Sequence, residues 1–151
     1  MQNNIFDNIE NIIEIGASFE MVVTGYSMLP LLGYGRDCII LHRTTSDEDI
    51  MGRIAMFRSP SKHIIVHRVI AINGNVVTLQ GDGNIYKQEE CLRGEIIAVV
   101  DCVQRQNGKI VSCTDSCWRR RERVWLEQPL IVRRYALAVM RRWLNFKRKF
   151  R

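Results

Sequence analysis

His63-Ile64-Ile65-Val66-His67-Arg68-Val69-Ile70-Ala71-Ile72, then Asn73-Gly74-Asn75, then Val76-Val77-Thr78-Leu79, decides the fold class. Both flanks are β-branched or apolar, and an Asn-Gly-Asn turn joins them, which is a hairpin signature. The pattern repeats outward. Phe19–Val23, Cys38–Leu41, Ile54–Phe57, Glu95–Val103 and Lys109–Cys113 read as further strands, separated by Ser59-Pro60-Ser61, Gly81-Asp82-Gly83-Asn84 and Arg105–Gly108. No βαβ period and no internal repeat is visible. The chain is predicted to be mainly β, an antiparallel, barrel-like domain. Ile5, Ile9, Ile12 and Ile13 recur at helical spacing and predict a short amphipathic helix over about 4–15.

The chemistry sits in two places on this frame. Gly25-Tyr26-Ser27-Met28-Leu29-Pro30 sets a serine on a tight turn, and His67 follows 40 residues later on the hairpin strand. A serine hydroxyl is a weak nucleophile and needs an adjacent base, for which neutral histidine is suited. Gly25 permits the turn, Met28 and Pro30 anchor it on apolar surface, and the Ser27 N–H becomes a candidate oxyanion donor, with Thr24 a candidate second. His42 and His63 are the rival histidines. His42 suits a surface role, whereas His63 shares the strand of His67 and points the same way.

The ordered set Gly-x-Ser-Met-x-Pro, His67-Arg68-Val69 and Gly81-Asp82-Gly83-Asn84 resembles the superfamily of signal peptidases and self-cleaving LexA-type repressors, over about Val22–Val103. The resemblance implies a LexA/signal-peptidase-like β domain and a serine peptidase. It favours the branch that uses histidine, as in the endoplasmic reticulum, over the branch that uses lysine. It assigns Ser27 as nucleophile and His67 as general base. Gly33-Tyr34-Gly35-Arg36-Asp37 is similar to the family's Gly-Asp strand start with Arg36 inserted, and Arg53 replaces the acid of a second one. Histidine-type enzymes carry another acid beyond the Gly-Asp-x-Asn turn. Here Ile85–Glu90 holds no aspartate, so Asp82, or Glu89 as second choice, is expected to orient His67.

The 151 residues, 46% of them hydrophobic, suit one domain with an appendage: a β domain over 1–112 and a basic amphipathic tail over 113–151. From Cys113 onward there are 12 basic and 3 acidic residues, net +9, so the rest of the chain is net −3 and the overall +6 belongs to the tail. After Pro129, Arg133, Arg134, Arg141, Arg142, Arg148 and Lys149 share one half of a helical wheel. Val132, Tyr135, Ala136, Val139, Trp143, Phe146 and Phe150 share the other. Such a helix suits an anionic membrane surface or a docking face on protein, and nucleic acid ranks last beside an acidic β core. No proposed catalytic residue lies in it, so activity is expected to survive its removal.

Five cysteines, an odd number, argue against a disulfide framework. Cys113-x-x-x-Cys117 is half of a metal site with no second half in view, and neither metal nor cofactor is expected. The N-terminal stretch is acidic and lacks the basic region of a signal peptide, and no apolar run approaches the roughly 20 residues of a spanning helix. The expectation is a cytoplasmic, bacterial peptidase, peripheral at the inner membrane face, acting on a leader-like or membrane-proximal peptide. The alternatives are a catalytically weak peptide-binding or assembly module and a self-cleaving regulator.

Overall fold

The computed structural model describes residues 13–14 and 17–150. Eight strands make one antiparallel sheet: β1 (Ser18–Val22), β2 (Cys38–Arg43), β3 (Ile54–Arg58), β4 (Ile64–Asn73), β5 (Val76–Gln80), β6 (Gln88–Leu92), β7 (Ile96–Gln104) and β8 (Ile110–Ser112). Their order is β1-β2-β7-β3-β4-β5-β6, with β8 paired to the end of β7. Two helices follow, α1 (Ser116–Leu126) and α2 (Leu130–Lys149). The chain is therefore mainly antiparallel β. The helix expected over about 4–15 lies outside the described residues, apart from 13 and 14, which are irregular.

The β4–β5 hairpin closes where the sequence placed it. Asn73 pairs with Val76, and Gly74 adopts φ +59°, the left-handed region a tight hairpin requires. Two core clusters lie on either side of β3. Ile54 and Met56 belong to one with Ile39, Leu41 and Val100, and Ala55 and Phe57 belong to the other with Val69, Leu79 and Val99. Alternate residues of β3 feed opposite clusters, so the strand is buried on both faces and reads as a continuous apolar run.

Two elements were not anticipated. Gln88-Glu89-Glu90-Cys91-Leu92 pairs with β5 as β6, although its composition is polar. Its alternation is still visible, since Cys91 is buried and Glu89 half-buried between exposed neighbours. The stretch expected to open the basic tail instead forms α1, whose Trp118 is fully buried in the first core cluster beside Met28 and Leu32. Trp118 and Trp125 lie two helical turns apart on one face. Removing a buried Trp costs about 3–5 kcal/mol, so residues just beyond 112 belong to the core.

Helix α2 begins one residue after Pro129, and its packed face differs from the apolar half of the sequence wheel. Leu137 is its buried residue, with Ala136 and Leu144 alongside. They form a third cluster with Trp125 of α1 and with Tyr26, Leu29 and Ile85 of the β domain. The helix therefore docks on the loops that carry the serine motif and the Gly-Asp turn. No helix among the described residues is long and apolar enough to cross a membrane.

Candidate active site

The loop from Val23 to Asp37 is closed on itself before it presents Ser27. The Val23 N–H donates to the Asp37 carbonyl, and the Gly35 N–H donates to the Val23 carbonyl, both at 3.0 Å. The buried Asp37 carboxylate accepts from the Gly33 N–H at 2.8 Å and from Arg105 at 2.6 Å, and Arg36 pairs with it as well. Asp37, the acid of the family-like strand start, thus works as a clamp. Met28 and Leu32 enter the main core, and Leu29 enters the cluster under α2. The serine is held from both sides by apolar anchors.

A second turn lies against the first. The Gly83 N–H donates to the Ser27 carbonyl at 2.7 Å, and the Asn84 N–H donates to the Gly81 carbonyl at 2.9 Å. The approach leaves no room for a side chain. A Cβ at Gly81 would collide with the Ser27 carbonyl oxygen and stand 3.1 Å from His67 Nε2, and one at Gly83 would stand 2.6 Å from the Tyr26 carbonyl oxygen. Glycine is needed here for contact, not for a special φ. Ser27 backbone, Gly81 and the His67 Nε2 edge therefore meet at one point.

His67 lies on β4 opposite Ala55 of β3 and is only 5% exposed. Its Nδ1 is 3.0 Å from Glu89 Oε2, although neither atom completes a well-directed hydrogen bond. Glu89 sits on β6 opposite Leu79, and its other oxygen is 3.2 Å from Lys87 Nζ. Burial pushes the His67 pKa below its ordinary 6.5, and the charges of Glu89 and Asp82 only partly oppose that. The imidazole is neutral near pH 7, the form a general base requires.

Asp82, the first choice to orient His67, is engaged elsewhere. Arg68 Nε donates to Asp82 Oδ1 at 2.8 Å and Arg68 Nη2 to Oδ2 at 2.7 Å, both buried. Arg68 Nη1 also donates to the Gly52 carbonyl and to Glu122 Oε1, which accepts from Trp118 Nε1 at 2.6 Å. Side chains alternate along a strand. Arg68 therefore points away from His67 and draws Asp82 with it, which leaves Glu89 as the carboxylate at Nδ1. The Asp82 network fixes the Gly81–Gly83 turn, since Trp125 Nε1 also donates to the Asp82 carbonyl at 3.0 Å.

The other candidates separate on geometry. His42 has both ring nitrogens engaged, Nδ1 at 2.7 Å from Asp101 and Nε2 at 2.8 Å from Glu48. Burial works against its charged form, but the two carboxylates win and raise its pKa above 6.5. Arg53 joins this cluster through Asp101 at 3.2 Å. His63 and Lys62 line the same groove as Ser27, a space of about 440 Å³ that also holds Thr24 and Gly25. Among the described residues, no hydrogen bond joins Ser27 Oγ to His67, and no group of His, Cys, Asp and Glu is arranged to hold a metal ion. The five cysteines are unbridged, and burial pushes the Cys113 thiol up to about 12.

The groove has a built shape. Met21–Gly25, at the end of β1, and His63–Val66, at the start of β4, line it together with Met28, Leu32 and Ile39. β1 is the end strand of the sheet, and β4 pairs with β5 only from Arg68 onward. The end of β1 and the start of β4, each with an open edge, thus line one largely apolar groove together with Ser27, and His67 is not among its lining residues. Comparison of the chain with family models, with curated proteins and with solved structures returned no match.

Proposed function

We propose that the chain is a serine endopeptidase of the signal-peptidase and LexA-type fold, with Ser27 as nucleophile, His67 as general base and Glu89 as the group that orients His67. The observation that carries the reading is the meeting of the Ser27 main chain and His67 Nε2 at Gly81, with Glu89 at Nδ1. In the acylation step Ser27 Oγ attacks the scissile carbonyl carbon and its proton passes to Nε2. The imidazolium that forms is stabilised by the Glu89 carboxylate and then gives the proton to the leaving amine. Water repeats the sequence in reverse and frees the serine. The Ser27 N–H and the Thr24 region are the candidate donors to the oxyanion.

The groove supports an extended peptide as substrate. Such a segment adds backbone hydrogen bonds to an open strand edge and sends alternate side chains into the apolar lining. A binding module that uses the same groove without cleavage is the second reading, favoured by the absence of an Oγ–Nε2 hydrogen bond. Catalytic hydrogen bonds often close only in the substrate complex, which keeps the first reading ahead. Incubation with a library of leader-like peptides, read by mass spectrometry, separates the two. Cleavage by the wild type and none by Ser27→Ala supports the peptidase. Peptide binding of equal strength in both proteins, with no cleavage in either, supports the module.

A further inference from the structure

We infer that the outward face of α2 is a docking surface for an anionic bilayer, and that it holds the Ser27 turn against that surface. Val132, Tyr135, Val139, Trp143, Phe146 and Phe150 are 45–76% exposed. At 3.6 residues per turn they fall within an arc of roughly 80° and run about 27 Å along the helix. A continuous row of this kind is not the scatter of single apolar residues that every soluble surface carries. Leu137 and Leu144 lie around the helix from the row and take up the main contact with the β domain, while Trp143, Phe146 and Phe150 at its C-terminal end border an open cleft of about 560 Å³ shared with Tyr26, Tyr34 and Arg36.

The charges beside the row choose the occupant. Residues 129–151 hold eight Lys or Arg and no acid. Arg142 and Lys149 flank the aromatic row on one side. On the other, Lys147 folds its ammonium over the Trp143 ring, 3.9 Å from its centre. A second copy of the chain would bring like charges together along the whole row, with no carboxylate to compensate. Nucleic acid would meet the cations, but Val132 and Val139 give bases nothing to stack on. An anionic bilayer satisfies both parts, since the aromatics enter the interface and the long basic side chains reach the headgroups.

The inner face makes this more than an anchor. Arg141 Nη2 donates to the Gly83 carbonyl at 2.6 Å, and the third cluster joins the helix to Tyr26 and Leu29 beside Ser27. A helix lying flat on the bilayer therefore sets the Ser27 turn about one helix diameter, roughly 10 Å, above the headgroups. That favours peptide segments held close to a membrane. The docking surface stands on the exposed row and its charges, so it survives if the peptidase reading fails.

Trp143 makes the test direct, because Trp118 and Trp125 are buried and it is the exposed tryptophan. The full chain is titrated with vesicles of phosphatidylcholine alone and of phosphatidylcholine with phosphatidylglycerol. Binding is read by co-sedimentation and by the blue shift of tryptophan emission. The expected result is binding to the anionic vesicles at least about tenfold tighter than to the neutral ones, weakening as salt rises. Arg142→Glu with Lys149→Glu should weaken binding about tenfold or more. Trp143→Ser with Phe146→Ser should weaken it at low salt as well, with unchanged circular dichroism, since both positions are exposed. Equal binding to both vesicle types overturns the proposal, as does no binding. A concentration-dependent dimer that the Trp143→Ser/Phe146→Ser variant abolishes also overturns it and makes the row a self-association face.

Discussion

Gly81→Ala probes the point where the proposed catalytic groups meet. The added methyl would collide with the Ser27 carbonyl oxygen and stand 3.1 Å from His67 Nε2. Real Cβ atoms essentially never come within 3.0 Å of a neighbour, so backbone must move. The Gly83 N–H already holds the Ser27 carbonyl at 2.7 Å, and Asp82 is bound by Arg68 at 2.7 Å. The strain therefore falls on the Ser27 turn or the imidazole, and a displacement of roughly 0.5–1 Å is required, enough to cost on the order of 100-fold in rate. The stability cost should be only about 1–3 kcal/mol, the usual range for overpacking. Gly94→Ala is the control, because a Cβ there meets nothing within 4 Å. The assay is turnover of a peptide identified as a substrate, beside urea unfolding of the same protein. Gly81→Ala that stays folded and keeps turnover within about threefold of the wild type would refute the reasoning.

Further outcomes follow from other parts of the molecule. Glu89→Gln should lower kcat by about 10²–10⁴-fold with little change in folding, as expected for loss of a group that orients a catalytic histidine; a drop below threefold would remove Glu89 from the mechanism. The acid limb of the pH–rate profile should lie below 6.5, because the His67 pKa is lowered by burial, and Glu89→Gln should move it lower still by removing a charge that opposes the shift. The His42 cluster should show in stability instead. Its histidine pKa is raised, so that contribution is full below 6.5 and fades as pH rises through the folded value. The Glu48 pKa is lowered from 4.5 by His42 and Thr44 against the opposing effect of burial, so its contribution fades as pH falls through the folded value. The gap in urea midpoint between wild type and His42→Gln should be widest at about pH 5–6 and shrink above about pH 8; a gap independent of pH would mean the charges contribute nothing. Leu137→Ala should cost about 2–3 kcal/mol and also reduce turnover, because it loosens α2 from the Ser27 turn; unchanged turnover would return α2 to the dispensable tail that the sequence suggests.

How far the sequence reaches depends on how loudly each segment states its environment. The β4–β5 hairpin was legible because its turn chemistry and its β-branched flanks agree. β6 was not, because Gln88, Glu89 and Glu90 carry no apolar signal, and the buried Cys91 is one position in five. That omission hid Glu89 from His67, since the pairing of Glu89 with Leu79 is what brings it there. The Gly-Asp-x-Asn motif points to Asp82 as the partner, but the neighbouring residue Arg68 points to the opposite face and claims it through two hydrogen bonds. The helix α1 was masked by its arginines. Its spacing of Trp118, Glu122 and Trp125 marks one face, and the half-buried Glu122 accepts hydrogen bonds from Arg68 and Trp118 there. In α2 the wheel separates a basic from an apolar half, but the strongest apolar residues are exposed. Leu137 and Leu144 dock because they meet Leu29, Tyr26 and Ile85, a match that composition alone does not reveal.

The most direct test of the central claim is covalent. Purified wild type, Ser27→Ala and His67→Ala are treated with a serine-reactive fluorophosphonate, and the adduct is mapped by mass spectrometry. Ser27 should be labelled in the wild type, with a rate that rises with pH through a pKa below 6.5. Labelling should vanish in Ser27→Ala and fall by about 100-fold or more in His67→Ala. Absence of a Ser27 adduct in folded wild type, or equal labelling in His67→Ala, would contradict the account.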